Sequence, residues 1–280
     1  MKTLTGAMVL VLALQQKGKE KDALDYVEPM KKVAAKFAGK EGVVLHLGDS
    51  ITYANGYSGW ARGGKGRTPQ DQAVCKWMHT GDDNDLDGFF LCRVDRPGNR
   101  SDTACSGIRS DEYLAGGKSG MPSLAEILKK YNPQAAVVML GTNDVTAGKA
   151  VAEYKGNMGK IVDALVANGC VPILSTIPPY PGKEDAAKTF NAALAELVRE
   201  KHVPLIDFWG EIMKRRPTDW NGTLLGKNDV HPTSDQGGAN PGSEPNEENL
   251  KNSGLLLRGW LSVKKIGEVK EQVIDKAKKK

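Results

Sequence analysis

Residues 133–179 read PQAAVVMLGTNDVTAGKAVAEYKGNMGKIVDALVANGCVPILSTIPP, and their pattern decides the fold. Ala135 to Leu140 is a short, continuously apolar run, entered after Pro133 and left at Gly141, as expected of a strand buried on both faces. Val151 to Asn168 carries apolar residues at helical spacing and stops at Gly169, a residue suited to ending a helix. Val171 to Thr176 is a second apolar run, stopped by Pro178-Pro179. A strand, a helix and a strand in such close succession form a crossover unit, and that unit makes parallel strands.

The same alternation extends outward in both directions. Downstream, Asp185 to Lys201 reads as a helix and Val203 to Phe208 as a strand. Upstream, Leu124 to Tyr131 is a helix with Pro122 near its start, and Val43 to Leu47 is a buried strand. Ala23, Val27, Met30, Ala34 and Phe37 mark an amphipathic helix over roughly residues 22–38, and a last helix is expected over roughly 254–277. The expectation is an α/β protein: a three-layer α/β/α sandwich around a parallel sheet, one domain over residues 20–277. Two stretches break the rhythm. Residues 54–120 and 233–253 are rich in Gly, Asp, Arg, Ser and Asn and read as insertion loops, which in compact domains are usually functional surface.

Composition narrows the classes. The 280 residues are 40% apolar and 26% charged, an ordinary globular mixture that excludes disorder, collagen and coiled coil. No apolar run approaches the roughly 18 residues of a membrane-spanning helix, so stable membrane insertion is not expected. The net charge is +5, but four lysines fall within the last five residues, leaving +1 before Lys276. A nucleic-acid partner is therefore not expected. Residues 1–16, MKTLTGAMVLVLALQQ, place Lys2 before an uncharged, apolar Leu4–Leu14 and read as a signal peptide. That implies a secreted or periplasmic protein, the alternative being a cytoplasmic one whose first residues join the fold. Cys75, Cys92, Cys105 and Cys170 form no Cys-x-x-Cys pair, so no zinc or redox site is indicated; disulfides and buried thiols both stay open.

Ligands of open parallel sheets sit beyond the carboxyl ends of the strands. The residues there are Gly48 to Thr52, Gly141 to Asp144, Ile177 to Pro179 and, before the last helix, Asn228 to Pro232. Ser50 can be read as a helix N-cap or as a nucleophile. A nucleophilic serine needs a base, and of the four histidines His231 has Asp229 close by to fix its tautomer, whereas His46 lies inside a strand. Asn143, directly after a strand, could turn its amide into the same crevice, and Gly107 could offer a backbone N–H.

Gly48-Asp49-Ser50-Ile51-Thr52, Ser106-Gly107, Gly141-Thr142-Asn143-Asp144 and Asp229-Val230-His231-Pro232 resemble, in this order, the four blocks of the SGNH hydrolases, the GDSL-type esterases and lipases. The resemblance covers about residues 40–235. It implies a flavodoxin-like sheet, with Ser50 as nucleophile and His231 as general base and then acid. It also implies an oxyanion hole made by the N–H groups of Ser50 and Gly107 and the amide of Asn143. One position departs from the pattern. The family usually places its acid three residues before the histidine, and here Asn228 stands there. Asp229, two residues before, is the expected triad acid, and the alternative is a Ser–His dyad oriented by Asn228. No Gly-x-Ser-x-Gly, Walker or metal-ligand signature is present, and the expected reaction needs no cofactor and no metal.

Tyr57, Trp60, Trp77 and Tyr113 lie in the first insertion among polar residues, a mixture that suits sugars, and no long apolar lid is evident. The expectation is a serine esterase that forms an acyl-enzyme, acting on a small-molecule or polysaccharide ester. A carbohydrate acetyl esterase is preferred over a lipase or lysophospholipase-like enzyme or a broad small-ester esterase. A non-catalytic glycan-binding protein on the same fold is the alternative of another class, motivated by Asn228. The sequence assigns no oligomeric state.

Overall fold

The computed structural model describes residues 25–97, 101–234 and 239–277. The signal-peptide reading of residues 1–16 and the last three lysines fall outside them. Four parallel strands, β1 (Val44–Gly48), β2 (Ala135–Met139), β3 (Val171–Ser175) and β4 (Leu205–Ile206), pair in the order β1-β2-β3-β4. Every residue of the first three strands is buried, as their unbroken apolar runs require. Pro172 fits inside β3 because alternate N–H groups face opposite neighbours. Leu174 and Thr176 donate to the β4 side, so the N–H that Pro172 lacks would point to where β4 has not yet begun.

On the free edge of β1, Gly48 makes an isolated parallel bridge with Ala104. The Gly48 N–H donates to Thr103 O and Gly48 O accepts from the Cys105 N–H. The chain thus leaves β1, pairs briefly on one side of it, then returns on the other side as β2. The strand order reverses at β1, the switch-point geometry of a doubly wound sheet, and Ser50 follows directly at that point.

Helices cover the sheet on both sides. The Val151–Ala167 helix packs on Glu184–Lys201 and on β3. The Gly254–Val269 helix packs on Gly59–Gly63, on Pro69–Trp77 and on β4. It packs as well on the Gly56–Ser58 turn, a contact that Gly259 permits: a Cβ there would lie 2.0 Å from Tyr57 O. The first helix is shorter than expected, Val27–Ala34. The expected strand 203–208 yields only two strand residues. Asp207 accepts from the Gly210 N–H at 2.9 Å and caps a helix, Phe208–Arg215, so the chain turns where apolar content alone suggested it continued.

The stretch 54–120 is not an irregular roof. Among its described residues it holds four α-helices, Gly59–Gly63, Pro69–Trp77, Gly88–Leu91 and Ser110–Ala115. Thr68 and Asp71 form a capping box with Pro69 at the first helical position. Tyr57, Trp60, Phe89, Leu91 and Tyr113 are buried in the same apolar cluster as β1 and β2. The aromatic residues expected to face a substrate are therefore core: Tyr57, Trp60 and Tyr113 have no exposed surface, and only Trp77 reaches solvent in part. All four cysteines are buried free thiols. Burial pushes the Cys75, Cys92 and Cys170 thiols up, Cys92 to about 12.

The Gly259 contact yields a prediction. Gly259→Ala forces a methyl group against the Tyr57 carbonyl and is expected to cost about 1–3 kcal/mol. The check is the urea midpoint, expected to fall with an unchanged slope; an unaltered midpoint contradicts the packing described.

Candidate active site

β1 ends in Gly48, where a Cβ would approach Met139 O to 2.7 Å and the Thr52 hydroxyl to 2.3 Å. The chain then turns at Asp49 into a single helical turn, Ser50–Tyr53. Asp49, not Ser50, caps that turn: its Oδ1 accepts from the Ile51 N–H at 3.0 Å. The cap reading of Ser50 is thus displaced by one residue, and the Ser50 hydroxyl is left to other partners.

Its partner is His231. Ser50 Oγ lies 2.8 Å from His231 Nε2, and His231 Nδ1 lies 2.7 Å from Asp229 Oδ1. If Nδ1–H donates to the carboxylate, Nε2 is free to accept the serine proton. Partial burial raises the Asp229 carboxyl, but the His231 hydrogen bond and charge and the N–H groups of Val230 and His231 outweigh it. The carboxyl is held below its usual range. Both side chains are about half exposed, at 41% for His231 and 51% for Asp229, so the pair opens to solvent. Asn228 stands apart. Its backbone is left-handed, with φ +56°, its N–H donates to Asn221 Oδ1 at 2.7 Å, and its Oδ1 accepts from Asn221 Nδ2. The two-residue spacing of Asp229 and His231 closes the chain to Ser50, and Asn228 braces the loop.

The remaining histidines lie elsewhere. His79 and His202 pair with Asp82 and Asp25. His46 is buried against Phe89, with ring centroids 3.9 Å apart. Burial, and then the nearby Arg258 charge, lower it to about 3, so it stays neutral.

Asn143 is the second residue of the short helix Thr142–Thr146 that follows β2, and its Nδ2 donates to Asp49 Oδ2 at 3.1 Å. One N–H of the amide is so occupied; the geometry of the amide leaves the second for another acceptor. Asp144 reaches the other way. It accepts from the Ser110 N–H at 3.0 Å and from the Ser110 hydroxyl at 2.6 Å. Gly107, with φ +73°, lies between the Ala104 bridge and this Ser110 anchor, and its carbonyl accepts from Lys118 Nζ at 2.6 Å. Ser50, His231 and Asp229 are thus in direct contact, Asn143 joins them through Asp49, and Gly107 sits on a segment pinned on both sides.

Residues 46–236 match the model of the GDSL-like lipase/acylhydrolase family. The chain belongs to that family. No curated protein matches the sequence. Among solved structures, a GDSL-like lipase from Bacteroides thetaiotaomicron shares 16% identity over 88% of this chain and 99% of its own, with a TM-score of 0.51. An acetylxylan esterase from Geobacillus stearothermophilus, solved as a catalytic mutant, shares 15% identity over 83% and 97%, also at 0.51. At such identities the likeness is one of fold. The chain is a serine ester hydrolase of the GDSL-like family.

Two residues of this GDSL site had no role in the sequence reading. Asp49 is fully enclosed, and burial raises its carboxyl to about 6 against the opposing pull of the Ile51 N–H, Arg258 and His231. Its position at the strand end was the available signal. Arg258, an arginine on the apolar face of the last helix, is 3% exposed and donates to Ile51 O and Thr52 Oγ1. Among the described residues no group of three or more metal-binding side chains is assembled, and no helix is long and apolar enough to cross a membrane.

The raised Asp49 carboxyl sets the sign of a pH effect. Folded, it binds its proton up to about pH 6; its ordinary value is 3.8, so the native state holds the extra proton between the two. That contribution is fully present below about pH 4 and is lost as pH rises through about 6. Wild-type stability minus that of Asp49→Asn should therefore fall between pH 4 and pH 7, measured by urea unfolding; a flat difference contradicts it.

Proposed function

We propose that the enzyme removes short acyl groups, acetyl foremost, from esters of carbohydrates. The observation that carries this reading is the openness of the Ser50–His231–Asp229 chain, whose base and acid are half exposed beside polar neighbours. Asn143 reaches Asp49 beside Ser50, and Tyr57, Trp60 and Tyr113 of the insertion are withdrawn into the core. A shallow polar site fits a small acyl group on a large hydrophilic alcohol better than a long chain, which needs an apolar channel. The fold likeness to an acetylxylan esterase agrees with this direction.

In this reading Ser50 Oγ attacks the ester carbonyl while His231 Nε2 takes its proton. The tetrahedral oxyanion is met by the N–H groups of Ser50 and Gly107 and by the second N–H of the Asn143 amide. His231 then protonates the departing sugar hydroxyl, leaving an acyl group on Ser50. Water, deprotonated by the same imidazole, releases the acid. Asp229 keeps Nδ1 protonated and stabilises the imidazolium. The signal-like N-terminus fits an enzyme directed to polymers outside the cytoplasm.

Two experiments test the reading. On p-nitrophenyl acetate, Ser50→Ala should abolish turnover. Asp229→Asn should lower kcat by about 10²–10⁴-fold, while Asn228→Ala stays near wild type. Equal losses at 228 and 229 would point to a different orienter. On a substrate panel, acetylated xylan and sugar acetates should exceed acyl esters of eight or more carbons in kcat/KM. The reverse order would favour a lipase, and binding of xylan without hydrolysis a glycan-binding role.

A further inference from the structure

The turn that carries Ser50 is four residues long. A helix of one turn has almost no stability of its own, because nucleation fixes several dihedrals for one hydrogen bond. It must be held from outside at both ends. Asp49 holds the start through the Ile51 N–H. The far side is held by Arg258, whose Nη1 donates to Ile51 O at 2.6 Å and Nη2 to Thr52 Oγ1 at 2.8 Å. Thr52 Oγ1 in turn fills the space a Cβ on Gly48 would need, 2.3 Å from that position, so the guanidinium reaches the end of β1 through it.

Arg258 is costly to place there. It is 3% exposed, and a buried cation needs strong compensation. Its two hydrogen bonds go to a carbonyl and a hydroxyl, and its flat face lies 3.8 Å from the centre of the Tyr57 ring. An uncharged apolar side chain would fill a core helix more cheaply. What the guanidinium adds is a rigid planar fork joining three parts: the Ser50 turn, the Tyr57 turn after it, and the last helix. That helix cannot slide, because Gly259 seats it on Tyr57 O.

We infer that Arg258 is a positioning residue for the hydrolytic reaction, fixing the Ser50 turn so that its hydroxyl stays in line with His231. This rests on Ser50 being the nucleophile. It makes no contact with substrate; it acts through Ile51 and Thr52. Losing it would let the turn tilt, and a displacement near 1 Å at the reacting atom can cost about 10²-fold in rate.

The test compares Arg258→Met and Arg258→Lys with Leu257→Ala, a truncation of the fully buried apolar neighbour on the same helix, whose side chain can make no hydrogen bond to the Ser50 turn. Arg258→Met should lower kcat on p-nitrophenyl acetate by about 10²-fold, with KM within about threefold of wild type. It should also slow phosphonylation of the serine by a small fluorophosphonate to a similar degree. Arg258→Lys, which restores one of two bonds, should recover part of kcat. Leu257→Ala should lower the melting temperature yet keep kcat at temperatures where it is folded. An Arg258→Met protein that is folded and retains wild-type kcat, or loses no more than Leu257→Ala, overturns the inference. Should Arg258→Met fail to fold, Arg258→Lys alone decides: full kcat and phosphonylation rate refute the role, and a reduced kcat at unchanged KM supports it. Ser50→Ala separates the two claims: turnover retained there refutes the nucleophile and the positioning role that rests on it, whereas turnover lost there with full kcat in Arg258→Met refutes the positioning role alone.

Discussion

Asp49 is enclosed by protein, so its carboxyl group must find partners within it or impose a penalty of several kcal/mol. The partners it finds organise the site. Oδ1 takes the Ile51 N–H and starts the Ser50 turn; Oδ2 takes one N–H of Asn143 and holds that side chain at the end of β2. Because Asp49 does the capping, the serine beside it keeps its hydroxyl for the imidazole. Two strand ends and two helix starts are therefore registered by one small group. Asp144 repeats the device one strand over, anchoring Ser110 and with it the Gly107 segment.

The loop that carries Asp229 and His231 is built differently. Asp229 and His231 are two residues apart and bonded directly, and the loop is closed by an antiparallel bridge between Leu225 and Pro232. Asp229 and His231 are a local unit, while Ser50 arrives from the opposite end of the sequence through the sheet. The hydrogen bond between Ser50 and His231 joins the two, spanning 181 positions of chain.

Much of this was legible in the sequence, and the exceptions have physical causes. The strands were readable because burial on both faces leaves no room for polar residues, and the long helices because one face of each must be apolar. Ser50, Asn143 and His231 follow from where strands end. The choice between Asn228 and Asp229 was not readable, since it depends on a left-handed turn at Asn228 that sends its side chain to Asn221. The stretch 54–120 misled because its helices are short and its core contacts are distant in sequence. Thr68-Pro69 is a local helix-start pattern, but the burial of Tyr57 and Trp60 under the Gly254–Val269 helix depends on residues far away in sequence. β4 was overestimated because Val203 to Phe208 is apolar throughout except for the one residue, Asp207, that ends it. Arg258 escaped because a single charge on an apolar helix face says nothing about which distant carbonyl it meets.

The four thiols have a consequence of a different kind. They are spread from Cys75 to Cys170, all uncrosslinked and enclosed, and desolvation disfavours the thiolate at Cys75, Cys92 and Cys170. Thiolate is the reactive form, so the folded protein is nearly inert to oxidants and alkylating agents at these sites. Its cohesion owes nothing to a covalent bond that a reductant could cut. Each cysteine becomes reactive when its surroundings open, and Cys92, beside His46, opens only when the packing against β1 is lost. The chain thus carries built-in reporters of its own breathing, and the rate at which Cys92 is labelled measures how often the layer against β1 comes apart.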